Sequence, residues 1–273
     1  MQKFSELEKE LEQEALDFVL DNKDSLINHF VKRYNPLAIG GGISLFMAGS
    51  PGAGKTEFVR RYIPAIFEGR LNIDSNLDSF DPSLQMPFIH IDVDEIRTFI
   101  PQYQVTDLDK NIKGNAEVVQ KAANKGLDII REYCFKNDIS FLHDGTFSNY
   151  STMKKLIAKS LKQDRIIHIY YVYLDPIVAW RFTVAREYTE GRNILKDKFI
   201  DQFFQSQQNI IRAQKDFKDR VNIHVALKNN ENKIYKYGYN IQNVKSYLDE
   251  CKTDNLIKIY TPSTLQKLID DIR

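Results

Sequence analysis

The sequence predicts a three-layer α/β fold in which a mostly parallel sheet of about five strands lies between helices. Three observations carry this. The apolar run Ile43-Ser44-Leu45-Phe46-Met47-Ala48 is followed by a glycine-rich turn and then by the helix-like Glu57-Phe58-Val59-Arg60-Arg61-Tyr62. Further apolar runs alternate with helical stretches, the pattern of parallel β-α units whose strands are buried on both faces. Three of those runs close on carboxylates, at Asp92/Asp94, Asp144 and Asp175. That is the end of the strands at which open α/β sheets bind ligands.

The bulk numbers narrow the classes. The chain has 273 residues, 42% hydrophobic and 27% charged, enough for one large domain with a sizeable core. Its 38 basic and 37 acidic residues nearly cancel. No global field draws in nucleic acid or anionic lipid, so a polymeric nucleic-acid substrate is disfavoured. Cys134 and Cys251 lack metal-ligand spacing and read as thiols of a reducing compartment. No signal core and no membrane-length apolar run is present, which predicts a cytoplasmic protein without membrane contact.

Taken in order, residues 1–36 read as a helical segment and 37–273 as the main domain. Phe4, Leu7, Leu11, Ala15 and Phe18 recur at helical spacing between glutamates, and Asn22 to Tyr34 offers a second short helix stopped by Asn35-Pro36. The strand at 43–48, its loop and its helix follow. The stretch 70–87, rich in Asp, Asn and Ser, reads as surface connection. Phe88-Ile89-His90-Ile91 is a short strand, 116–133 a helix, and Ser140-Phe141-Leu142-His143 another strand. Residues 166–174 are the most strand-like run of all. Asp175 then caps a helix that has Pro176 in its first turn and ends near Gly191. A helix over 196–217, a strand over 221–227, a turn at Asn229–Asn232 leading into a hairpin strand over 233–239, and a helix capped by Thr261-Pro262 complete the chain.

The chemistry concentrates at the strand ends. Gly49-Ser50-Pro51-Gly52-Ala53-Gly54-Lys55-Thr56 is G-x-x-x-x-G-K-T between a strand and a helix, the context a phosphate-binding loop requires. Its glycines let successive N–H groups point at one anion, and the helix that follows adds its positive end. Lys55 then supplies charge for the outer phosphates and Thr56 a hydroxyl for Mg²⁺. Asp92 or Asp94 could orient an acceptor hydroxyl and take its proton during phosphoryl transfer. Spacing does not decide between them, and Asp94 also suits a helix cap. Asp144-Gly145-Thr146 offers hydroxyl or metal-bound-water ligands, or a plain Asp-Gly turn. Arg186 and Arg192, with Arg181 behind them, suit a lid closing on phosphates, or a solvated basic face. His90, His143, His168 and His224 fall inside apolar strands and read as core, as do Trp180 and the Tyr170, Tyr171 and Tyr173 group.

Together, Gly49–Thr56 with Glu57, the Ile91–Arg97 run, Asp144-Gly145-Thr146, and Trp180 through Arg186 and Gly191-Arg192 resemble the zeta toxin family of P-loop small-molecule kinases. The resemblance covers roughly residues 40–225. It implies the P-loop kinase fold and ATP- and Mg²⁺-dependent phosphorylation of a UDP-sugar hydroxyl, typically on UDP-N-acetylglucosamine, which inhibits bacterial growth. It implies Asp94 as the base, Lys55, Arg186 and Arg192 on the phosphates, and Asp92, Arg97, Asp144 and Thr146 on the substrate side. It also implies an antitoxin partner. Residues 1–34, helical and acidic at the start, suit self-restraint in cis or, equally, plain packing on the sheet edge. The chain departs from the family at three acceptor-side positions. Asp144 stands where better-known members have Glu, Val93 where they have a small or polar residue, and Ser148 where they have Arg. A kinase of another metabolite or of polynucleotide ends, and a non-catalytic nucleotide switch, are the competing readings.

Overall fold

The computed structural model describes residues 4–32, 42–69, 86–104, 116–190 and 194–272. Helices α1 (Glu6–Asp21) and α2 (Lys23–Val31) precede strand β1 (Ile43–Ala48) and helix α3 (Lys55–Phe67). Then come β2 (Ile89–Asp92), α4 (Val93–Phe99), α5 (Gln120–Lys136), β3 (Phe141–Asp144) and α6 (Tyr150–Leu161). The second half runs β4 (Ile166–Tyr173), α7 (Pro176–Glu190), α8 (Lys196–Phe217), β5 (Asn222–Lys228), β6 (Ile234–Gly238), α9 (Val244–Thr253) and α10 (Pro262–Asp270). The stretch at 70–85, Arg192 and the Asn35-Pro36 stop lie outside the described residues.

The sheet has six strands in the order β2-β3-β1-β4-β5-β6, with helices on both sides. β1 to β5 are parallel, and β6 is the hairpin return, antiparallel to β5 with Val225 opposite Gly238. β1 is therefore flanked by β3 on one side and β4 on the other. The chain winds away from it in both directions, which makes the end of β1 the switch point at which such sheets bind ligands.

Local chemistry explains the helices. Ser5 and Glu8 form a capping box on α1, and Thr261 and Thr264 form one on α10. Asp175 accepts the Ile177 amide at 3.0 Å and so caps α7, as its place before Pro176 predicts. The fifth helix begins at Gln120 and not at 116, because residues 116–119 form turns. Two helices were not foreseen, α6 and α9. Each opens on an Asn side chain, Asn149 accepting from Thr152 N and Asn243 from Ser246 N.

The core runs through the sheet. All six residues of β1 are buried, and Tyr170, Tyr171, Phe46 and Phe58 are among the largest fully buried side chains. Trp180 packs edge-on against Phe199 with centroids 5.1 Å apart. Cys134 and Cys251 are free and buried. The N-terminal helices join the same core. Ala15, Val19, Leu26 and Phe30 are fully buried, and α1 and α2 both lie against α5. Phe18 meets Phe99 at 5.8 Å, and His29 pairs with Glu95 at 3.0 Å, so these helices also brace α4. Among the described residues no helix is long and apolar enough to cross a membrane.

Candidate active site

The loop after β1 is built as its glycines predict. Gly49 has φ 138°, and a Cβ there would lie 2.3 Å from the Val172 carbonyl oxygen, so no other residue fits. Gly54, in the left-handed region with φ 73°, is the N-cap of α3 and leaves the helix's first amides uncapped by any side chain. Ser50 and Ala53 are buried, and Pro51 and Gly52 form the turn between them. Free amides at a helix start, with the dipole behind them, form an anion cradle. Lys55 reaches back along the loop, donating to Gly49 O at 3.1 Å and Ser50 O at 2.8 Å.

Neighbouring strand ends converge on this loop. Gly49 N donates to Thr146 O at 3.2 Å, tying the segment after β3 to the segment after β1. Thr146 Oγ1 lies 2.8 Å from Ser148 Oγ. Thr56 Oγ1 donates to Asp144 Oδ2 at 3.1 Å. Asp92 and Asp144 are opposite one another in the β2–β3 register. His90, two residues earlier on the same face of β2, places Nε2 3.3 Å from Asp144 Oδ2.

Helix α4 separates the two aspartates that spacing leaves equivalent. Asp92 is extended, with φ −111° and ψ 125°, and its Oδ1 accepts the Asp94 amide at 2.9 Å. Asp92 is thus the cap. Asp94, for which a capping role was the alternative, sits in the first turn, and Arg97 Nη1 donates to its Oδ1 at 2.5 Å. Arg97 also donates to Gln120 from its other terminal nitrogen, which fixes the guanidinium between α4 and α5.

The electrostatics couple these groups. Desolvation lowers the Lys55 ammonium to about 8; the charge of Asp144 opposes this, Arg186 adds to it, and Asp92 and Asp94 oppose it. One lysine therefore senses three acids and an arginine from three segments of chain. Burial pushes Asp92 up to about 6, and the charges of Asp144 and Asp94 push the same way. Burial would also raise Asp144. The hydrogen bond and charge of His90, then Lys55 and Thr56, outweigh it and hold Asp144 below the usual carboxylate range. For His90, burial works against the proton, but the hydrogen bond to Asp144 and its charge win, so its pKa is raised.

The remaining expected residues separate. Arg186 lies exposed on α7 within electrostatic reach of Lys55, Arg181 is exposed on the same helix, and Arg192 lies outside the described residues. Asp175 takes no part in the site. Besides capping α7 it accepts from Tyr260 OH at 2.8 Å. Two residues of the site were missed. His90 reads as core from its apolar strand, although its spacing of two from Asp92 puts both on one strand face. Lys228 closes the apolar run of β5, is only 2% exposed, and donates to Gly54 O at 3.3 Å. A lysine ending a buried strand was the available signal.

The family model described as Zeta toxin matches residues 41–240. Among solved structures, the chain is similar to one from the PezAT chromosomal toxin-antitoxin system of Streptococcus pneumoniae. There the identity is 15%, covering 97% of this chain and 88% of that one, with a TM-score of 0.55. It is also similar to the AvrRxo1-ORF1:AvrRxo1-ORF2 structure with sulphate ions, at 12% identity over 95% and 84% of the two chains and TM-score 0.54. The same complex solved with ATP gives 12%, 96% and 82%, and 0.52. No curated protein matches in sequence. At such identities the structures show a shared fold, and the family model covers well over half of the chain: it belongs to the zeta toxin family.

Proposed function

We propose that this chain is an ATP-dependent kinase that phosphorylates a hydroxyl of a sugar nucleotide, UDP-N-acetylglucosamine first among the acceptors, and thereby restrains bacterial growth in the cytoplasm. The observation that carries the reading is the convergence of carboxylates on the phosphate loop: Asp144 accepts from Thr56, Asp92 stands opposite Asp144 across the β2–β3 ladder, and Asp94 beside it is held by Arg97. A nucleotide switch needs the cradle but has no use for a carboxylate held by its own arginine beside it.

The donor set suits the nucleotide and its ion. Thr56 Oγ1 and the Asp144 carboxylate, 3.1 Å apart, are hard oxygen donors of the kind Mg²⁺ prefers, and they would hold it at the loop. Bound there, Mg²⁺ supplies positive charge to the β- and γ-phosphate oxygens. Lys55 exchanges its two loop carbonyls for phosphate oxygens. Asp94 orients the acceptor hydroxyl and takes its proton as the new O–P bond forms and the bond to the departing ADP oxygen breaks. Arg97 keeps that carboxylate in place. Arg186, on α7, and Arg192 close on the phosphates, and Asp144 with Thr146 faces the sugar nucleotide.

The neighbours lend support. One AvrRxo1 complex was solved with ATP, and the PezAT system pairs a toxin with an antitoxin, which favours an antitoxin partner here too. Val93 and Ser148 alter the acceptor side and Asp144 stands between it and the nucleotide side, so the test uses a panel of UDP-sugars. Purified protein with Mg²⁺-ATP should add one phosphoryl mass to UDP-N-acetylglucosamine, and Asp94→Ala should abolish the gain while still binding ATP. Retained activity in Asp94→Ala would remove the assigned base. No gain on any UDP-sugar would remove the acceptor class.

A further inference from the structure

We propose that His90, Asp92 and Asp144 form a site for a divalent transition-metal ion that this protein binds without nucleotide. One ligand atom from each of the three lies within 4.8 Å of the others. Two ligands cis to one another on an ion with bonds of about 2.1 Å stand about 3 Å apart. His90 Nε2 and Asp144 Oδ2 stand at 3.3 Å, so a small shift admits an ion between them.

Three features set this triad apart from a surface cluster of acids. First, His90 is 6% exposed, and its Nε2 is directed at the carboxylate and away from solvent. Second, the ligands are held by secondary structure. His90 and Asp92 share one face of β2, Asp144 faces Asp92 across the ladder, and the Asp92 Oδ1 bond to the Asp94 amide fixes that carboxylate's orientation. Third, the charges are unbalanced. Arg97 pairs with Asp94, Lys55 donates to the loop carbonyls and reaches Asp92 and Asp144 only through space, and no described basic side chain forms a contact ion pair with Asp92. A cation at the triad would meet all three ligands at once.

The imidazole decides the kind of ion. Carboxylates and water satisfy Mg²⁺, whereas one imidazole with two carboxylates suits Mn²⁺, Fe²⁺, Co²⁺ or Zn²⁺. Asp144 belongs both to the triad and to the Thr56 pair. The triad ion therefore lies one carboxylate away from the hydroxyl assigned to the nucleotide's Mg²⁺. The inference rests on the three side chains and does not require the kinase reading.

The test is a Mn²⁺ titration of the full chain without nucleotide, read by the loss of the free-ion electron paramagnetic resonance signal, with Mg²⁺ as competitor. One Mn²⁺ per chain is expected, with an affinity for Mn²⁺ at least about tenfold above that for Mg²⁺. His90→Gln and Asp92→Asn should each weaken Mn²⁺ by about 10-fold or more, and His90→Gln should leave Mg²⁺ competition within about threefold. In the wild type, electron spin-echo modulation should show one directly bound ¹⁴N, a readout that does not depend on a variant folding. Absence of Mn²⁺ binding without nucleotide, or binding with no ¹⁴N coupling, overturns the site. Binding of a fluorescent ATP analogue is measured separately. Its failure would count against the kinase reading and leave the metal result standing.

Discussion

Lys228, at the end of β5, donates from a buried Nζ to the carbonyl of Gly54, the residue that caps the helix of the phosphate loop. The hairpin that follows adds Asn232, whose amide donates to Glu57 in the first turn of α3. Strand β5 and its hairpin are thereby fastened to the cradle from the side of β1 opposite β2 and β3. Burial lowers Lys228 to about 8; the Glu57 charge opposes this, and Arg61 and Lys55 add to it.

Replacing Lys228 by Met should therefore affect binding more than folding. Gly54 O keeps its helical bond from Phe58 N at 3.0 Å, so no carbonyl is orphaned, and an apolar chain of similar length fills the space. The urea midpoint should move by less than about 1.5 kcal/mol in stability terms. Nucleotide affinity should fall about threefold to tenfold, up to about 1.4 kcal/mol, because a charge behind the loop is gone. Titration with a fluorescent ATP analogue checks this, and unchanged affinity would deny Lys228 any part in the cradle.

Arg97 makes a sharper case because its two terminal nitrogens have separate tasks, one on Asp94 and one on Gln120. Arg97→Lys keeps the charge but loses the planar fork, and Arg97→Met loses both. Phosphoryl transfer should drop about 10-fold in the first and about 100-fold in the second, with nucleotide affinity unmoved. Equal loss of affinity and turnover would show that Arg97 acts on the fold of α4 and not on the base.

How much of this was legible in the sequence depends on the range of the interaction that fixes each feature. The strand-loop-helix at 43–67 and the helix over 196–217 follow from neighbours within a few residues, and both were read directly. The choice of cap between Asp92 and Asp94 is a matter of backbone angles, and two carboxylates at spacing two present the same pattern either way. His90 and Lys228 became site residues only through partners on other strands, Asp144 and Gly54. Strand order has the same origin. Which runs flank β1 is decided by pairing across about a hundred residues, and apolar character alone does not encode it.

The buried histidines make stability depend on pH. Burial, with Arg131 adding, holds His143 at about 3; burial alone holds His168 at about 4; burial, with His168 adding, holds His224 at about 3. In the unfolded chain each titrates near about 6.5. As pH falls from about 6.5 towards 4, the unfolded chain takes up protons that the native chain refuses, so stability present above about 6.5 is lost. His90 works the other way. Its raised pKa gives stability that is present below about 6.5 and lost as pH rises through the folded value. Asp92, pushed up to about 6, likewise stabilises the fold as pH falls below that value. The three histidines outweigh these two groups, at about 1.4 kcal/mol per pH unit for each group titrating only when unfolded. Urea unfolding at about pH 7.5 and about pH 5 should show a lower midpoint in acid with an unchanged slope. An equal midpoint at both values would mean that these rings are not held neutral.

The N-terminal helices divide two expectations, a detachable arm that restrains the enzyme and a structural part of it. Their burial favours the second. Val19, Leu26 and Phe30 are fully covered, and each such side chain is worth about 1.5–3 kcal/mol. Losing three removes on the order of 5–9 kcal/mol, comparable with the whole stability of a domain, about 5–15 kcal/mol. The same deletion would uncover the face of α5 and release Glu95 and Phe99 of α4 from His29 and Phe18, next to Asp94. Removal of residues 1–34 should therefore give a chain that aggregates or melts far below the full-length protein and does not gain activity. Thermal unfolding and the UDP-sugar assay on the truncated chain decide the matter. A soluble, cooperatively folding and more active truncation would make the segment a restraint after all. The milder variant Phe30→Ala separates the two further. A packing role predicts a loss of about 3–5 kcal/mol with turnover per folded molecule unchanged, whereas a restraint predicts that turnover rises as the helix loosens.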